Sequence, residues 1–184
     1  MRKSADVVIR MQQNFNDIDC LFPFNIDWEQ WRLTKIDIPF SDKVIEYLNA
    51  LSKSVLNDKA SRAYPDLVTF AFYCRKASIL QQKEKYLNQS EVRLGRGVVF
   101  HIAPSNVPIN FAYSLVSALL SGNLNIIRIS SKPFPQVDLL IKHFFLIAQI
   151  EEFKEVSEKI AIVRYDRTSS FTQYFSSICD VGLI

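Results

Sequence analysis

Residues 97–132 read GVVFHIAPSNVPINFAYSLVSALLSGNLNIIRISSK, and this stretch decides the fold of the chain. The apolar run Val98 to Ile102 predicts a buried strand, and the Pro-Ser-Asn-Val-Pro sequence that follows predicts a turn. An apolar helix over 107–121 and a second buried strand from Leu124 to Ile129 complete the pattern. The order of strand, turn, helix and strand is typical of one wall of a nucleotide-binding α/β unit.

The same alternation continues to the end of the sequence. A helix is predicted over 135–150, a strand from Ile160 to Val163, a short helix from Thr168 to Ser177 and a last strand from Val181. Strands that alternate with helices favour parallel pairing through right-handed crossovers. We therefore predict an α/β fold whose parallel region covers residues 91–184.

The first ninety residues have a different character. Up to Phe40 the sequence is irregular and predicts short elements and coil. Ser41 then suits the cap of an amphipathic helix over 42–55, and a second helix should run from Pro65 towards Lys83. We expect residues 1–90 to be an irregular and helical region that packs on the same core as residues 91–184.

Composition excludes several classes of protein. The 184 residues are 48% hydrophobic, so the chain can bury a core, and its net charge of +3 is spread without a dense basic run that would indicate nucleic-acid binding. Three separated cysteines without C-x-x-C spacing suggest neither a disulfide framework nor a metal site. Without a signal peptide or a membrane-spanning run, we expect a reducing cytoplasm.

Asn106 is the first candidate for chemistry, and two uses of its side chain stay open. It lies between a predicted strand and a predicted helix, where Asn commonly caps the first turn. A carboxamide fixed at a helix start could instead stabilise a developing oxyanion, because the helix dipole places partial positive charge there. The local sequence does not choose between a cap and a catalytic donor.

Arg128 is the second candidate, since it ends a buried strand where ligands of α/β sheets usually bind. Ser130, Ser131 and Lys132 follow it and add hydrogen-bonding and cationic groups. The alternative is a solvated charge at a strand end. His101, His143 and Cys74 fit structural roles better, because each falls on a predicted strand or helix face without a catalytic partner at suitable spacing.

Two segments carry a family resemblance. The segments VVFHIAPSNVP (98–108) and SGNLNIIR (121–128) resemble the LuxC-type acyl-CoA reductases, which are relatives of the aldehyde dehydrogenase superfamily. The resemblance extends over roughly residues 65–184. It implies a partial aldehyde-dehydrogenase-like Rossmann domain, preceded by the helical N-terminal region, and NADPH-dependent reduction of a long-chain fatty acyl thioester to an aldehyde.

The resemblance also implies roles for individual residues. Asn106 matches the superfamily asparagine that binds the oxyanion of the tetrahedral intermediate. Arg128 matches a lysine that contacts the adenosine ribose, and Ser131 stands where a glutamate often holds the ribose hydroxyls. An uncharged Ser131 beside Lys132 would accept a 2′-phosphate, which favours NADP over NAD. The implied cofactor-binding residues are Ala103, Pro104, Ser105, Arg128, Ser130, Ser131 and Lys132.

In the family, a cysteine thiolate attacks the acyl thioester and the acyl-enzyme is then reduced. Both this cysteine and the family's glycine-rich loop lie downstream of the region that matches Val181 to Ile184. We therefore expect the chain to hold an N-terminal portion of such a reductase and to show no turnover alone. The alternative is an incomplete fragment that binds nucleotide or contacts a subunit. Expected partners are an acyl thioester, a second copy of the chain or an acyl-transfer protein, without nucleic acid or a membrane span.

Overall fold

A computed structural model describes residues 17–24, 26–87, 91–166 and 168–183. The described chain forms an α/β fold, in which a mixed five-stranded sheet is covered by helices. The strands are β1 (Asp19–Phe22), β2 (Val98–Ile102), β3 (Leu124–Arg128), β4 (Ile160–Arg164) and β5 (Val181–Leu183). The helices are α1 (Trp28–Trp31), α2 (Asp42–Asn57), α3 (Lys59–Arg62), α4 (Pro65–Tyr73), α5 (Lys76–Tyr86), α6 (Asn110–Leu120), α7 (Pro135–Ala148), α8 (Lys154–Ser157) and α9 (Phe171–Ile178). A 3-10 turn, Glu151–Phe153, precedes α8.

The sheet has the order β1-β4-β3-β2-β5. Strands β2 to β5 pair in parallel, as the alternation of strands and helices predicts, and β1 pairs with β4 in the antiparallel direction. The register places Ile102 beside Arg128, at the carboxyl ends of β2 and β3. Chain order along the sheet reverses between β2 and β5, because β3 and β4 lie on one side of β2 and β5 on the other.

Both faces of the central strands are buried, which a parallel sheet requires. Alternate residues of β3 divide between the faces: Ile127 joins the cluster made with α2, α4, α6 and α7, and Ile126 joins the cluster made with α9 and the two tryptophans. Each fully buried Ile, Leu or Phe side chain stabilises the fold by about 1.5–3 kcal/mol. Within the described strands β2 and β3, the polar side chains of His101 and Asn125 are paired with each other, and Arg128 lies at the end of β3.

The N-terminal segment contributes more order than the sequence predicts. Residues 1–16 and 25 lie outside the described part of the chain. The described elements before Phe40 are short, as expected, but β1 extends the sheet by pairing Asp19 with Arg164. Asp37 then anchors the segment, because its carboxylate lies 3.3 Å from the buried Lys159 ammonium and its backbone N–H donates to the Gly122 carbonyl. These are contacts between residues far apart in the chain, which local periodicity does not encode.

The helix predicted from Pro65 to Lys83 is wrong in one respect, because it is two helices that break at Arg75. Arg75 is extended, with φ −63° and ψ 140°, and α5 starts after it. The break is held by tertiary contacts: the Asn49 side chain accepts a hydrogen bond from the Lys76 N–H, and the Ser78 hydroxyl donates to the Phe72 carbonyl. Cys74 faces the core and is fully buried, as its position on the apolar stripe predicts.

Gly122 follows the end of α6 in a left-handed conformation with φ +84°. Its N–H donates to the Leu119 carbonyl, and the Asn123 N–H donates to the Ala118 carbonyl, which is the Schellman pattern of helix ends. A Cβ atom here would lie 2.1 Å from the Asp37 carbonyl oxygen. The turn therefore needs glycine both for its backbone angle and for the close approach of the N-terminal segment.

His143 has a structural role, as the sequence predicts. Its side chain is buried on α7, where Nδ1 lies 2.8 Å from the Ser54 hydroxyl and Nε2 lies 2.8 Å from the Ser61 hydroxyl. Asp58 Oδ2 is 3.4 Å from Nε2 and also accepts a hydrogen bond from Ser61. Burial is the largest influence on the imidazole and lowers its pKa despite the nearby Asp58 carboxylate.

This burial predicts a pH dependence of stability. Because the folded His143 pKa lies below the unfolded value of about 6.5, the unfolded chain binds more protons and the free energy of unfolding falls as pH drops below about 6.5. His143→Gln, which can still bond both hydroxyls, should flatten this dependence in urea unfolding between about pH 5 and 7. The same slope in both proteins would contradict the assignment. His101, the only other histidine, is intact in both.

Candidate functional site

A cavity of about 780 Å³ opens at the carboxyl ends of β2 and β3. Its wall contains the residues that follow β2 and the residues that end and follow β3, because parallel pairing brings these two loops to one edge of the sheet. All the site residues predicted from the sequence line it: Ala103, Pro104, Ser105, Asn106, Arg128, Ser130, Ser131 and Lys132. The structure therefore brings the whole predicted set together.

Asn106 is not a helix cap, so one of its two predicted uses is wrong. Helix α6 starts at Asn110, its N-cap position is Ile109, and no side chain bonds the N-cap turn. The proline-bounded turn delays the helix, since Pro108 and the turn residues occupy 105–109. Asn106 is exposed in the cavity wall, and its carboxamide makes no hydrogen bond with the described residues. Both amide N–H groups are therefore available to a ligand.

Arg128 is buried, with 8% of its surface exposed, so the alternative of a solvated charge is wrong. One guanidinium nitrogen lies 3.4 Å from the Tyr165 carbonyl oxygen, and the guanidinium carbon lies 5.4 Å from the centre of the Tyr165 ring. Arg128 Nε is buried and has no hydrogen-bond partner in the described part of the protein. A buried cation without a carboxylate partner is costly unless an anion binds it.

The loop after β3 is held in place by side chains and adds a second cation. The Lys132 N–H donates to the Ser130 hydroxyl, and Arg164 Nε donates to the Ser130 carbonyl at 3.3 Å. Lys132 makes no ion pair with a described residue. Among the described residues that line the cavity, none is Asp or Glu. The cavity is therefore electropositive and suits an anionic ligand.

His101 forms the polar floor of the cavity. Nε2 lies 3.1 Å from Asn125 Oδ1, whose amide nitrogen donates to the Asn123 carbonyl, so Nε2 carries the proton. Nδ1 lies 3.1 Å from the Ser114 hydroxyl, which also lies 2.9 Å from the Phe111 carbonyl oxygen. Burial lowers the His101 pKa more than the Asn125 contact raises it, and the ring is therefore neutral at pH 7.

Six described lining residues were not among the predicted site residues: His101, Ile102, Asn110, Phe111, Ser114 and Leu183. A signal for two of them exists in the sequence. Asn110 and Ser114 are polar residues one turn apart in a largely apolar helix, on the same face. The sequence predicts a structural role for His101 because no catalytic partner lies at suitable spacing, and its contacts with Ser114 and Asn125 come from other elements.

None of the three cysteines lines the cavity. Cys74 is fully buried, and burial raises the pKa of its thiol far above the ordinary value, so it is not a nucleophile. Burial also raises the pKa values of the Cys20 and Cys179 thiols. No group of three or more potential metal ligands occurs within residues 17–24, 26–87, 91–166 and 168–183.

Comparison with known proteins identifies the family. Many ligand-binding proteins have a sheet covered by helices and a cationic cavity at the carboxyl ends of the parallel strands. Within that class, the family model for acyl-CoA reductase (LuxC) matches residues 44–181, which is most of the chain and includes every described lining residue of the cavity except Leu183. The chain belongs to this family. A search of curated proteins returned no match.

The environment of Arg128 predicts an unusual effect of mutation. Arg128→Met should leave the free energy of unfolding unchanged or raise it by up to about 1 kcal/mol. It removes a buried cation that forms no ion pair with a described residue, and solvent screens its attraction to the exposed Asp166 carboxylate. Lys159→Met is the matched control and should cost about 2 kcal/mol, because Lys159 pairs with Asp37. Urea unfolding measures both, and an equal loss in the two variants would show that Arg128 is fully compensated within the protein.

Proposed function

We propose that the cavity binds the adenosine end of NADPH and that the protein takes part in reducing a fatty acyl thioester to an aldehyde. The observation that carries the proposal is the burial of Arg128 without an ion pair to a described residue, in a cavity that no described carboxylate lines. The family is that of acyl-CoA reductases, whose activity depends on a nucleotide cofactor that supplies hydride.

The strand order supports a Rossmann-like fold of the aldehyde dehydrogenase kind. Counted among the parallel strands only, β4, β3, β2 and β5 are the third, second, first and fourth in the chain. Dinucleotide-binding sheets have this order, and they bind their ligand at the edge where chain order reverses. In this protein that reversal lies between β2 and β5, and both Ile102 and Leu183 line the cavity.

The choice of NADPH over NADH rests on Ser131 and its neighbours. A carboxylate at this position would hold two ribose hydroxyls but repel a 2′-phosphate, whereas Ser131 can donate a hydrogen bond to it. Arg128 and Lys132 supply positive charge on either side of Ser131 along the chain. We therefore propose Ala103, Pro104, Ser105, Arg128, Ser130, Ser131 and Lys132 as the cofactor-binding residues.

Asn106 is the proposed oxyanion donor. Attack of a thiolate on the thioester carbonyl places negative charge on the carbonyl oxygen, and collapse of that intermediate expels the CoA thiolate. An amide N–H fixed in the cavity wall would stabilise this charge more than it stabilises the neutral thioester. The free carboxamide of Asn106 and its exposure to the cavity support this role.

A second candidate function is nucleotide binding or subunit contact without catalysis by this chain. It is favoured by the distance of all three cysteines from the cavity wall, since the proposed mechanism needs a thiolate there. Both candidates share the nucleotide site and place residues 1–90 and 91–184 around one core.

We propose a cytoplasmic location. No described helix has the length and apolar character needed to cross a membrane.

The cofactor proposal predicts a change in specificity. The wild-type chain should bind 2′,5′-ADP about tenfold more tightly than 5′-AMP, and Ser131→Glu should abolish that preference through repulsion of the 2′-phosphate. Ser176→Glu, an exposed position on α9 outside the cavity, is the control and should keep the wild-type ratio. Isothermal titration calorimetry measures the affinities of all three proteins for both nucleotides. Unaltered discrimination in Ser131→Glu would refute the role of Ser131.

The oxyanion proposal predicts a kinetic effect. In a form of the protein that carries the reactive cysteine of the family, Asn106→Ala should slow acylation by an acyl-CoA about a hundredfold, because one charge-stabilising donor is lost. Asn110→Ala, which lines the same cavity, should change the rate less than threefold. Stopped-flow measurement of CoA release reports the step. Acylation at the wild-type rate in Asn106→Ala would end the assignment.

Turnover by the chain itself separates the two candidate functions. Supplied with an acyl-CoA and NADPH, residues 1–184 should oxidise no NADPH above the rate without thioester, because no cysteine reaches the cavity. Absorbance at the NADPH band follows the reaction. Oxidation of NADPH that requires the thioester would defeat the second candidate and show that a cysteine of this chain reaches the site.

A further inference from the structure

A second cavity, of about 830 Å³, runs along the outer face of α6 and is not part of the site described above. We call it the α6 groove. Its apolar wall is made by Tyr73, Tyr86, Leu94, Val181 and Leu183. Three of these side chains, Tyr86, Leu94 and Leu183, are large apolar groups that are 56%, 61% and 42% exposed. Exposed apolar surface that lines a groove indicates a binding surface.

The groove is continuous with the candidate site. Ser114 and Leu183 line both cavities, so the two meet at the first turns of α6 and the end of β5. From Ser114 to Ser121 the groove follows seven residues of helix, which is about 10 Å. A ligand whose reacting end lies near Asn106 could therefore extend a long arm into the groove.

The far part of the groove carries a cation without a partner. Arg96 is exposed and makes no ion pair with any residue that the structure describes. Arg93 also lines the groove, but it pairs with Glu91. None of the described residues that line the groove carries a carboxylate. The wall of the groove is therefore apolar with several hydroxyl groups, and one end of it is cationic. Such a groove suits a flexible ligand arm that ends in a phosphate.

The helix supplies hydrogen-bond acceptors along this length. The Ser117 hydroxyl donates to the Tyr113 carbonyl at 2.9 Å, and the Ser121 hydroxyl donates to the Ser117 carbonyl at 2.8 Å. Each hydroxyl hydrogen is thus used within the helix, and each oxygen keeps lone pairs that face the groove. Such oxygens can accept amide N–H groups, which a hydrocarbon chain does not have.

We propose that the α6 groove binds the pantetheine arm of the acyl-CoA substrate, with a CoA phosphate at Arg96. The proposal rests on the proposed function, since the thioester must lie at Asn106. It assigns the two ligands to separate cavities that meet at Ser114: nucleotide cofactor at the ends of β2 and β3, and CoA along α6. The amide groups of pantetheine can donate hydrogen bonds to the serine oxygens, and the CoA phosphate can pair with Arg96. An acyl chain in this groove would make neither contact.

The test fills the groove at an exposed position. In Ser117→Trp the indole would occupy the groove, so the affinity for CoA should fall at least tenfold while the affinity for 2′,5′-ADP stays within twofold of wild type. Ser177→Trp on α9 is the matched control, because Ser177 is also an exposed helical serine that bonds a preceding carbonyl, and it lines neither cavity. Isothermal titration calorimetry on the full 184-residue chain provides all the affinities.

A second variant removes the positive charge of Arg96 and leaves the rest of the groove unfilled. Arg96→Gln should weaken CoA binding by about threefold to fivefold, the range expected for one exposed ionic contact, and leave binding of pantetheine itself unchanged. Arg62→Gln, an exposed arginine on α3 that lines neither cavity, should leave both affinities unchanged. Equal losses for CoA and pantetheine in Arg96→Gln would contradict the phosphate contact.

The outcomes distinguish the groove from the nucleotide site. Loss of CoA binding in Ser117→Trp with retained 2′,5′-ADP binding supports the proposal. CoA that binds Ser117→Trp as tightly as wild type, or that competes with 2′,5′-ADP for one site, overturns the groove and leaves the proposed function intact. A wild-type chain that binds 2′,5′-ADP but not CoA also overturns the groove proposal and leaves the proposed function intact. A chain that binds neither overturns both proposals.

Discussion

The parallel pairing of β2 with β3 is the interaction on which the site depends. Its register sets Ile102 beside Arg128, and one further hydrogen bond, from the Ala103 N–H to the Arg128 carbonyl at 3.0 Å, extends the ladder past the end of β2. The loop that carries Asn106 and the loop that carries Lys132 therefore leave the sheet at the same place. A shift of register by one residue would turn Arg128 to the opposite face of the sheet and separate these groups.

Burial on both faces explains why the chemistry collects at one edge. The central strands lie between two apolar clusters, so an unpaired polar group within them would be costly. Arg128 is placed at the last position of β3, where it is buried and lines the cavity. The protein tolerates this cation with one carbonyl contact and one aromatic ring. We propose that an anionic ligand supplies the negative charge that balances the Arg128 guanidinium.

Much of this could be predicted from the sequence because the signals are local. Apolar runs identify β2, β3 and β4, and Gly122 identifies the end of α6. The features that the sequence did not reveal depend on contacts between distant segments. These are the addition of β1 to the sheet, the break at Arg75 that Asn49 holds, and the late start of α6 that frees Asn106 from a capping role. The His101 contacts with Ser114 and Asn125 also join residues from different segments, so the sequence did not reveal them.

Nuclear magnetic resonance of the 15N-labelled chain, titrated with NADPH, tests residue by residue whether NADPH binds at the carboxyl ends of β2 and β3. If it does, the backbone amide signals of Ser105, Asn106, Ser131 and Lys132 shift and saturate together, while those of Ser117 and Ser121 in the α6 groove stay in place. Saturable shifts confined to the groove, or no shift at millimolar NADPH, would contradict it.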